Sequence, residues 1–210
     1  MLISFEEINK VLLSKNININ GAFHIGAHDC EEIPFYNSLG LKNEDVIWIE
    51  AINSKVISAK EKNIPNVYNE VITDKDNENI EFNISNNLQC CSILELGTCL
   101  HRHPEVSYIN KLSLKSITID TFFKKYNLDA SKYNFWNFDI QGAELLALKG
   151  SIESIKYAKA IYLEVNLEEI YKNGALIHEI DNFLLQFNFK RVLTNILQFN
   201  WGDALYIKDE

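Results

Sequence analysis

Short blocks of apolar residues recur along the chain, and segments with helical spacing of apolar and polar positions separate most of them. A block such as Val46-Ile47-Trp48-Ile49 is apolar at every position, which is typical of a strand covered on both faces. The pattern predicts strands over residues 21–25, 45–50, 66–72, 80–84, 115–119, 133–139, 160–165, 189–193 and 204–207. Strands that alternate with helices indicate an α/β fold with a doubly wound, mostly parallel sheet and helices on both faces.

The predicted helices begin or end at recognisable signals. Ser4 and Glu7 have the spacing of a capping box, and Gly40 stands where a glycine would end a helix. Asp120 is expected to cap the helix that follows it. The pattern predicts one helix directly after Ser4. It predicts further helices over residues 31–39, 54–61, 121–126, 142–149 and 175–187.

The length of 210 residues fits one domain. We expect residues 1–20 to form an N-terminal helix that packs on a single domain over residues 21–210. Residues 85–112 show no clear period, and an irregular segment of this length in a compact domain is usually functional or disordered. Its aromatic and apolar content favours order, so we expect an insertion that covers a cleft and carries His101 and His103.

Composition excludes several classes of partner. The net charge of −9 and the isoelectric point near 5.1 argue against nucleic acid, because phosphate binding requires a basic face. No apolar run reaches the roughly 20 residues of a membrane span, so no membrane partner is expected. The four cysteines form no C-x-x-C pair, which indicates reduced thiols in a cytoplasmic protein. Cys99, His101 and His103 lack the spacing of zinc ligands, and no metal is predicted.

Polar residues stand at the ends of three predicted strands. The segment 134–144 reads as a buried strand that ends in Asp139 and turns through a glycine into a helix carrying Glu144. The first strand is followed by His28 and Asp29 in His24-Ile25-Gly26-Ala27-His28-Asp29, and the second ends at Glu50 in Ile47-Trp48-Ile49-Glu50. Because ligands of open α/β sheets bind at the carboxyl ends of the strands, these residues predict a single cleft.

The first two strand ends suggest a nucleoside site. Gly26 and Ala27 allow a ligand to approach the backbone closely, or they simply form a tight turn. Glu50 follows roughly 20 residues later, where an acid can bind ribose hydroxyls or cap the next helix. Asp74, after the third strand, either meets an adenine amino group or begins a polar turn.

The chain lacks the complete glycine motif G-x-G-x-x-G, which cradles the pyrophosphate of a dinucleotide. A nucleoside site without a pyrophosphate cradle points to S-adenosylmethionine, which carries no phosphate.

Several stretches, taken in order, resemble the FkbM family of class I methyltransferases. The matching stretches are Phe23-His24-Ile25-Gly26-Ala27-His28, Val46-Ile47-Trp48-Ile49-Glu50, Ser116-Ile117-Thr118-Ile119-Asp120, Phe138-Asp139-Ile140-Gln141-Gly142-Ala143-Glu144-Leu145-Leu146-Ala147-Leu148-Lys149-Gly150 and Tyr162-Leu163-Glu164-Val165, with weaker likeness at 91–97 and 103–106. The resemblance covers about Gly21 to Ile207. The chain departs from the family at His28, where the family usually has asparagine, and at Gln141, where it often has glutamate.

The resemblance implies a seven-stranded Rossmann-like sheet and S-adenosylmethionine as methyl donor. It also implies a hydroxyl as the methyl acceptor, methylated by in-line displacement. We expect a sugar, a glycan or another small molecule, and a protein-linked group stays open as an alternative. Gly26 and Ala27 would line the methionine part of the cofactor, and Glu50 would hold the ribose. Asp139 would lie beside the methyl group. The adjoining His28 and Ala51 are predicted to contact the cofactor as well.

An alcohol reacts slowly unless a base accepts its proton. The predicted catalytic acids are Asp139, Glu144 and Glu164, with His28 as a further candidate. Each has another interpretation: Asp139 can bind the cofactor's ammonium group, Glu144 can be a helix-surface residue, and Glu164 can be a paired buried carboxylate. Gln141 cannot act as a base.

Two other functions compete with methyl transfer. The first is an enzyme that uses a nicotinamide cofactor or a nucleotide sugar, against which the missing glycine cradle argues. The second is a nucleoside-binding module that has lost its chemistry, against which the acids at three strand ends argue. The fold alone does not decide between them.

Overall fold

The structure, a computed structural model, describes residues 1–209 apart from the side chain of residue 102. The strands are β1 Ala22–Ile25, β2 Val46–Glu50, β3 Val67–Asn69, β4 Val71–Ile72, β5 Asn79–Ser85, β6 Tyr108–Ile117, β7 Phe135–Phe138, β8 Ala160–Asn166, β9 Phe189–Ile196 and β10 Trp201–Lys208. The helices are α1 Phe5–Ser14, α2 Ile33–Ser38, α3 Asn53–Glu61, α4 Cys99–Arg102, α5 Ile119–Lys125, α6 Glu144–Lys149 and α7 Ile177–Leu185. Within residues 1–209, no helix combines the length and the apolar character needed to cross a membrane.

Seven strands form the main sheet in the order β3-β2-β1-β7-β8-β10-β9. The first five in this order run parallel, and β10 is antiparallel to both of its neighbours. A second sheet has the order β4-β6-β5. The predicted doubly wound, mostly parallel α/β fold is confirmed, and the carboxyl ends of β1, β2, β7 and β8 meet at one edge of the main sheet.

Alternate residues of the parallel strands supply two separate cores. Phe23 and Trp136 point to one face and pack with residues of α5, α6 and α7. Trp48 and Phe135 point to the other face and pack with residues of α1, α2 and α3. Because both faces are buried, the central strands need apolar residues at successive positions, which explains the continuous apolar blocks in the sequence.

The helix before β1 begins as predicted. Ser4 and Glu7 form the reciprocal capping box, and Ile8 and Leu12 of α1 are buried in the second core. The division into residues 1–20 and 21–210 stays a prediction.

The predicted third strand over residues 66–72 is wrong as a single element. β3 pairs with β2 in the main sheet, whereas β4 pairs with β6 in the second sheet. The break falls at Glu70. Its carboxylate accepts hydrogen bonds from Lys125 at the end of α5 and from Tyr126, the next residue. In the sequence, the polar residues Asn69 and Glu70 separate two apolar pairs, and this pattern fits one continuous strand as well as two short ones.

The predicted cap at Asp120 is also wrong. The side chain of Thr118 caps α5 by accepting a hydrogen bond from the Thr121 amide at 3.1 Å. Asp120 instead accepts hydrogen bonds from the amides of Glu153 and Ser154 at 2.9 and 2.8 Å. Both side chains are good caps, and the extended backbone of Thr118 at the end of β6 decides between them.

Candidate active site

A cavity of about 580 Å³ lies at the carboxyl ends of β1, β2, β7 and β8. Its volume falls within the roughly 300–1,000 Å³ typical of small-molecule sites. The strand ends form its floor, and residues 87–91, 103–106 and 170–171 contribute the opposite wall. The topology thus brings residues that are distant in sequence to one site.

Gly26 lets β1 end in direct contact with the chain after β7. Its φ is +91°, and a Cβ at this position would lie 1.8 Å from the carbonyl oxygen of Asp139. The amide of Asp139 in turn donates to the carbonyl of Ile25 at 2.9 Å. Gly26 lines the cavity, whereas Ala27 is buried in the second core and does not. Only glycine fits where the two strand ends meet.

Glu50 ends β2 and faces the same cavity while organising the surrounding loops. Its carboxylate accepts hydrogen bonds from the amides of His28 at 2.8 Å and Ile52 at 2.7 Å. Burial raises the pKa of Glu50, and these hydrogen bonds oppose that rise. Ala51 also lines the cavity. Each carboxylate oxygen retains a further lone pair, so Glu50 can accept ribose hydroxyls without losing its loop contacts.

His28 lies beside Glu50 in a left-handed backbone conformation, with a φ of 43°. Its Nδ1 is 3.3 Å from the carboxylate of Glu31 and 3.5 Å from that of Asp29. These three side chains can bring ligand atoms within 4.8 Å of one another, a grouping that the sequence analysis missed. Asp29 already forms an ion pair with Lys55 at 2.7 Å.

The opposite end of the floor carries two carboxyl groups bridged by one amide. Asp139 follows β7, and Glu164 lies on β8. Nε2 of Gln141 donates to Oδ1 of Asp139 at 2.7 Å and to Oε2 of Glu164 at 3.0 Å. The Tyr171 hydroxyl donates to Oε1 of Gln141 at 2.7 Å. Neither Gln141 nor Tyr171 is predicted in this role by the sequence pattern.

Burial raises the pKa of both bridged acids. The pKa of Glu164 lies well above its usual value, first because of burial and then because Asp139 and Glu144 are close. The pKa of Asp139 is also raised by burial, although its side chain is exposed to the cavity. Glu164 is the more enclosed of the two acids, because it is only 8% exposed.

Besides Ala27, two more of the predicted site residues, Glu144 and Asp74, do not line the cavity. Glu144 is buried, and its Oε1 accepts hydrogen bonds from the amides of Ile140 at 3.0 Å and Gly142 at 3.2 Å. Burial, with a contribution from nearby Asp139, raises the pKa of Glu144 to about 7. Asp74 does not line the cavity, and Glu70 after β3 lines it instead. The predicted residues that the structure brings together are therefore Gly26, His28, Glu50, Ala51, Asp139 and Glu164.

The sequence analysis missed a third acid on this wall. Asp203 of β10 stands opposite Glu164 of β8 in the antiparallel register. Its carboxylate accepts hydrogen bonds from the Tyr162 hydroxyl and the Leu2 amide. The signal was an acid within an apolar stretch, since a buried carboxylate needs a structural or functional reason.

The cavity is strongly acidic. Among the described side chains, its lining includes no lysine or arginine, and the carboxyl groups that line it are Glu31, Glu32, Glu50, Glu70, Glu105, Asp139, Glu164 and Asp203. Such a lining favours cationic and neutral ligands over phosphorylated ones, because like charges repel strongly where water is scarce.

The segment 85–112 forms part of the cavity wall. Leu96 and Val106 from this segment pack with Ile170 and Tyr171 in a small third core. His103 lines the cavity with its Nδ1 3.1 Å from the carboxylate of Glu105. His101 does not line the cavity.

The sheet order and the methyltransferase family match together define a Rossmann-like methyltransferase fold. Residues 24–191 match the family model described as Methyltransferase FkbM domain, and the chain belongs to this family. The resemblance noted in the sequence is thereby confirmed. A comparison with curated proteins found no match.

Several solved structures are similar to the chain. Magnesium protoporphyrin IX methyltransferase from Synechocystis PCC 6803, with bound SAM, has 9% identity and a TM-score of 0.44 over 98% of this chain and 78% of that one. A SAM dependent methyltransferase from Aquifex aeolicus has 12% identity and a TM-score of 0.46 over 99% and 100%. Precorrin-6y C5,15-methyltransferase from Geobacter metallireducens has 12% identity and a TM-score of 0.44 over 100% and 91%.

Proposed function

We propose that the protein transfers a methyl group from S-adenosylmethionine to a hydroxyl of a small, uncharged acceptor such as a sugar. The observation that carries the proposal is one continuous cavity, which runs from Glu50 at the end of β2, past Gly26 and Asp139 where β1 and β7 end, to Glu164 on β8. The first end suits a nucleoside, and the second suits proton transfer at a reacting centre.

Two features of the residues present fit this cofactor. The missing side chain at Gly26 leaves backbone exposed where the methionine part would lie, and any Cβ would collide with Asp139. The sulfonium and ammonium groups of the cofactor are cationic, which suits the acidic lining. Glu50 would accept the ribose hydroxyls, while Ile72 and Phe82 offer an apolar wall to the adenine ring.

The two bridged acids would have different roles. Asp139 contacts Gly26 through its backbone and would hold the ammonium group of the cofactor. Glu164 would accept the acceptor's hydroxyl proton, since its raised pKa makes its ionised form the stronger base. Bound S-adenosylmethionine supplies an electrophilic methyl carbon. Glu164 would take the proton of the acceptor hydroxyl while the oxygen replaces sulfur on the methyl carbon and S-adenosylhomocysteine leaves, so turnover is expected to rise with pH as Glu164 ionises.

The test combines calorimetry with a transfer assay. We expect S-adenosylmethionine to bind and NADH not to bind. Formation of S-adenosylhomocysteine is then measured with pairs of acceptors, each a sugar and its phosphate ester, and we expect transfer only to the unphosphorylated member. Binding without transfer to any acceptor would favour a nucleoside-binding module, and binding of NADH in place of the methyl donor would favour a nicotinamide enzyme.

A further inference from the structure

Gln141 contacts both acids at the reacting end of the cavity. It lies between β7 and α6, and its Nε2 is 2.7 Å from Oδ1 of Asp139 and 3.0 Å from Oε2 of Glu164. Both contacts are hydrogen bonds in which the amide donates. One amide group therefore uses its two N–H bonds on two different carboxyl groups.

The orientation of this amide is fixed by its surroundings. The Tyr171 hydroxyl donates to Oε1, which leaves only the amide nitrogen to face the acids. The backbone carbonyl of Gln141 accepts a hydrogen bond from the Ser92 hydroxyl at 2.9 Å. Gln141 has a φ of 55°, a left-handed conformation that is uncommon for this residue type and persists where the surroundings enforce it.

Two neighbouring carboxyl groups without a donor between them tend to share one proton, because both cannot ionise close together in a buried site. A donor that reaches both acids favours the ionised form of each. An amide can do this at any pH, whereas a carboxylate in the same place cannot donate at all.

We propose that Gln141 is a positioning residue that keeps Asp139 and Glu164 as two separate carboxylates. Asp139 is then free to hold the cofactor's ammonium group while Glu164 accepts a proton. This proposal rests on the methyl transfer proposed above for the assignment of the two roles. The bridging of the two acids rests on the geometry alone.

Other titratable groups also face this pair and contribute to its titration. They are His24 on β1, Glu32 before α2, Cys90 in the segment 85–112, Glu144 on α6, Tyr171 after β8 and Asp203 on β10. Of these, Tyr171 bonds directly to Gln141, and burial lowers the pKa of His24 to about 4, so that it is neutral near pH 7.

The principal experiment is an NMR titration of the full-length protein labelled with ¹³C at the aspartate and glutamate carboxyl carbons. In Gln141→Met, which has a similar shape but no amide, we expect the apparent pKa values of the Asp139–Glu164 pair to rise by roughly one unit, or tenfold in proton affinity. Gln141→Glu should raise them further. Gln186→Met, an exposed glutamine at the end of α7, is the matched control and should leave them unchanged.

Tyr171→Phe provides an independent variant that leaves Gln141 in place. It releases the amide from its fixed orientation, and we expect a smaller rise of the same sign. If Gln141→Met does not fold, Tyr171→Phe decides the question alone. Unchanged titration of the pair in every folded variant would overturn the proposal.

The pH dependence of kcat/KM separates this proposal from the proposed function. In Gln141→Met, the rise of kcat/KM with pH should occur at higher pH, displaced by the same amount as the pKa values of the Asp139–Glu164 pair. Activity is then lost mainly at low pH and recovers at high pH. A merely structural role would lower activity by a constant factor. If wild-type protein transfers no methyl group but the NMR titration shifts, the proposed function fails and the positioning role stands.

Discussion

The two ends of the cavity hold acids in different surroundings. At the β2 end, two backbone amides donate to Glu50. At the β8 end, Glu164 is close to other carboxyl groups and accepts a hydrogen bond from the neutral amide of Gln141. Backbone amides cannot move away or change protonation, whereas a neighbouring acid can take up a proton. The first end is therefore built for constant recognition of a ligand, and the second for a change of protonation.

The first prediction tests the reacting end, where we expect the largest effect. Glu164→Gln should lower the rate of methyl transfer roughly 10²- to 10⁴-fold, because it removes the proton acceptor. The dissociation constant of S-adenosylmethionine should change little. Single-turnover kinetics and calorimetry measure the two quantities separately. Asp139→Asn is the comparison variant, and it should weaken cofactor binding as well. Equal behaviour of the two variants would remove the division of roles.

The second prediction tests the contact between Gly26 and the backbone of Asp139, which lie between Glu50 and Glu164 on the cavity floor. Gly26→Ala should lower the free energy of unfolding by about 3 kcal/mol, because the new Cβ would meet the carbonyl oxygen of Asp139. Gly40→Ala is a matched control, since Gly40 has a similar φ of +82° but no atom within 4 Å of the added carbon. The control should lose only about 1 kcal/mol through backbone strain. Chemical denaturation measures both, and equal losses would contradict the proposed collision.

The third prediction tests the recognition end. Glu50→Gln should weaken S-adenosylmethionine binding about 30-fold, or roughly 2 kcal/mol. The substitution removes the charged acceptor, and the new side-chain NH2 group would face the backbone N–H of His28 or Ile52, where two donors cannot pair. Calorimetry measures the change. Glu61→Gln, an exposed acid at the end of α3, removes the same charge without touching the cavity and should bind normally. An unchanged affinity in Glu50→Gln would rule out the ribose contact.

The fourth prediction concerns Glu144 and stability. Its pKa rises from 4.5 to about 7 on folding, so the folded state binds the proton more tightly than the unfolded state. This contribution is complete below about pH 4.5 and is lost as the pH rises through 7. Glu144→Gln keeps an acceptor for both amide contacts and removes the ionisation. The fall in unfolding free energy between pH 5 and 8 should shrink by roughly 1–2 kcal/mol.

Thermal and chemical denaturation across this pH range provide the measurement for Glu144. Glu61→Gln again serves as the control and should follow the wild-type profile. If Glu144→Gln keeps the full pH dependence, another of the buried acids is responsible for it.

The sequence predicted the parts of the site that depend on local pattern. Glu50 and Asp139 follow apolar blocks, and parallel strands present their carboxyl ends at one edge. The sequence could not place Asp203, because its position opposite Glu164 depends on the antiparallel return of β10. It also could not show that Glu144 turns inward, since the helical position alone fits both an exposed and a buried side chain. The change of sheet falls at the polar residues Asn69 and Glu70, which also fit a single continuous strand.

The close contact at Gly26 limits how this protein can change. Because the carbonyl of Asp139 occupies the place of a side chain at residue 26, the end of β1 and the turn after β7 are held in direct contact. Neither can be reshaped without disturbing the other. Diversification of acceptor preference is therefore expected in the wall supplied by residues 85–112, which can vary while the floor stays constant.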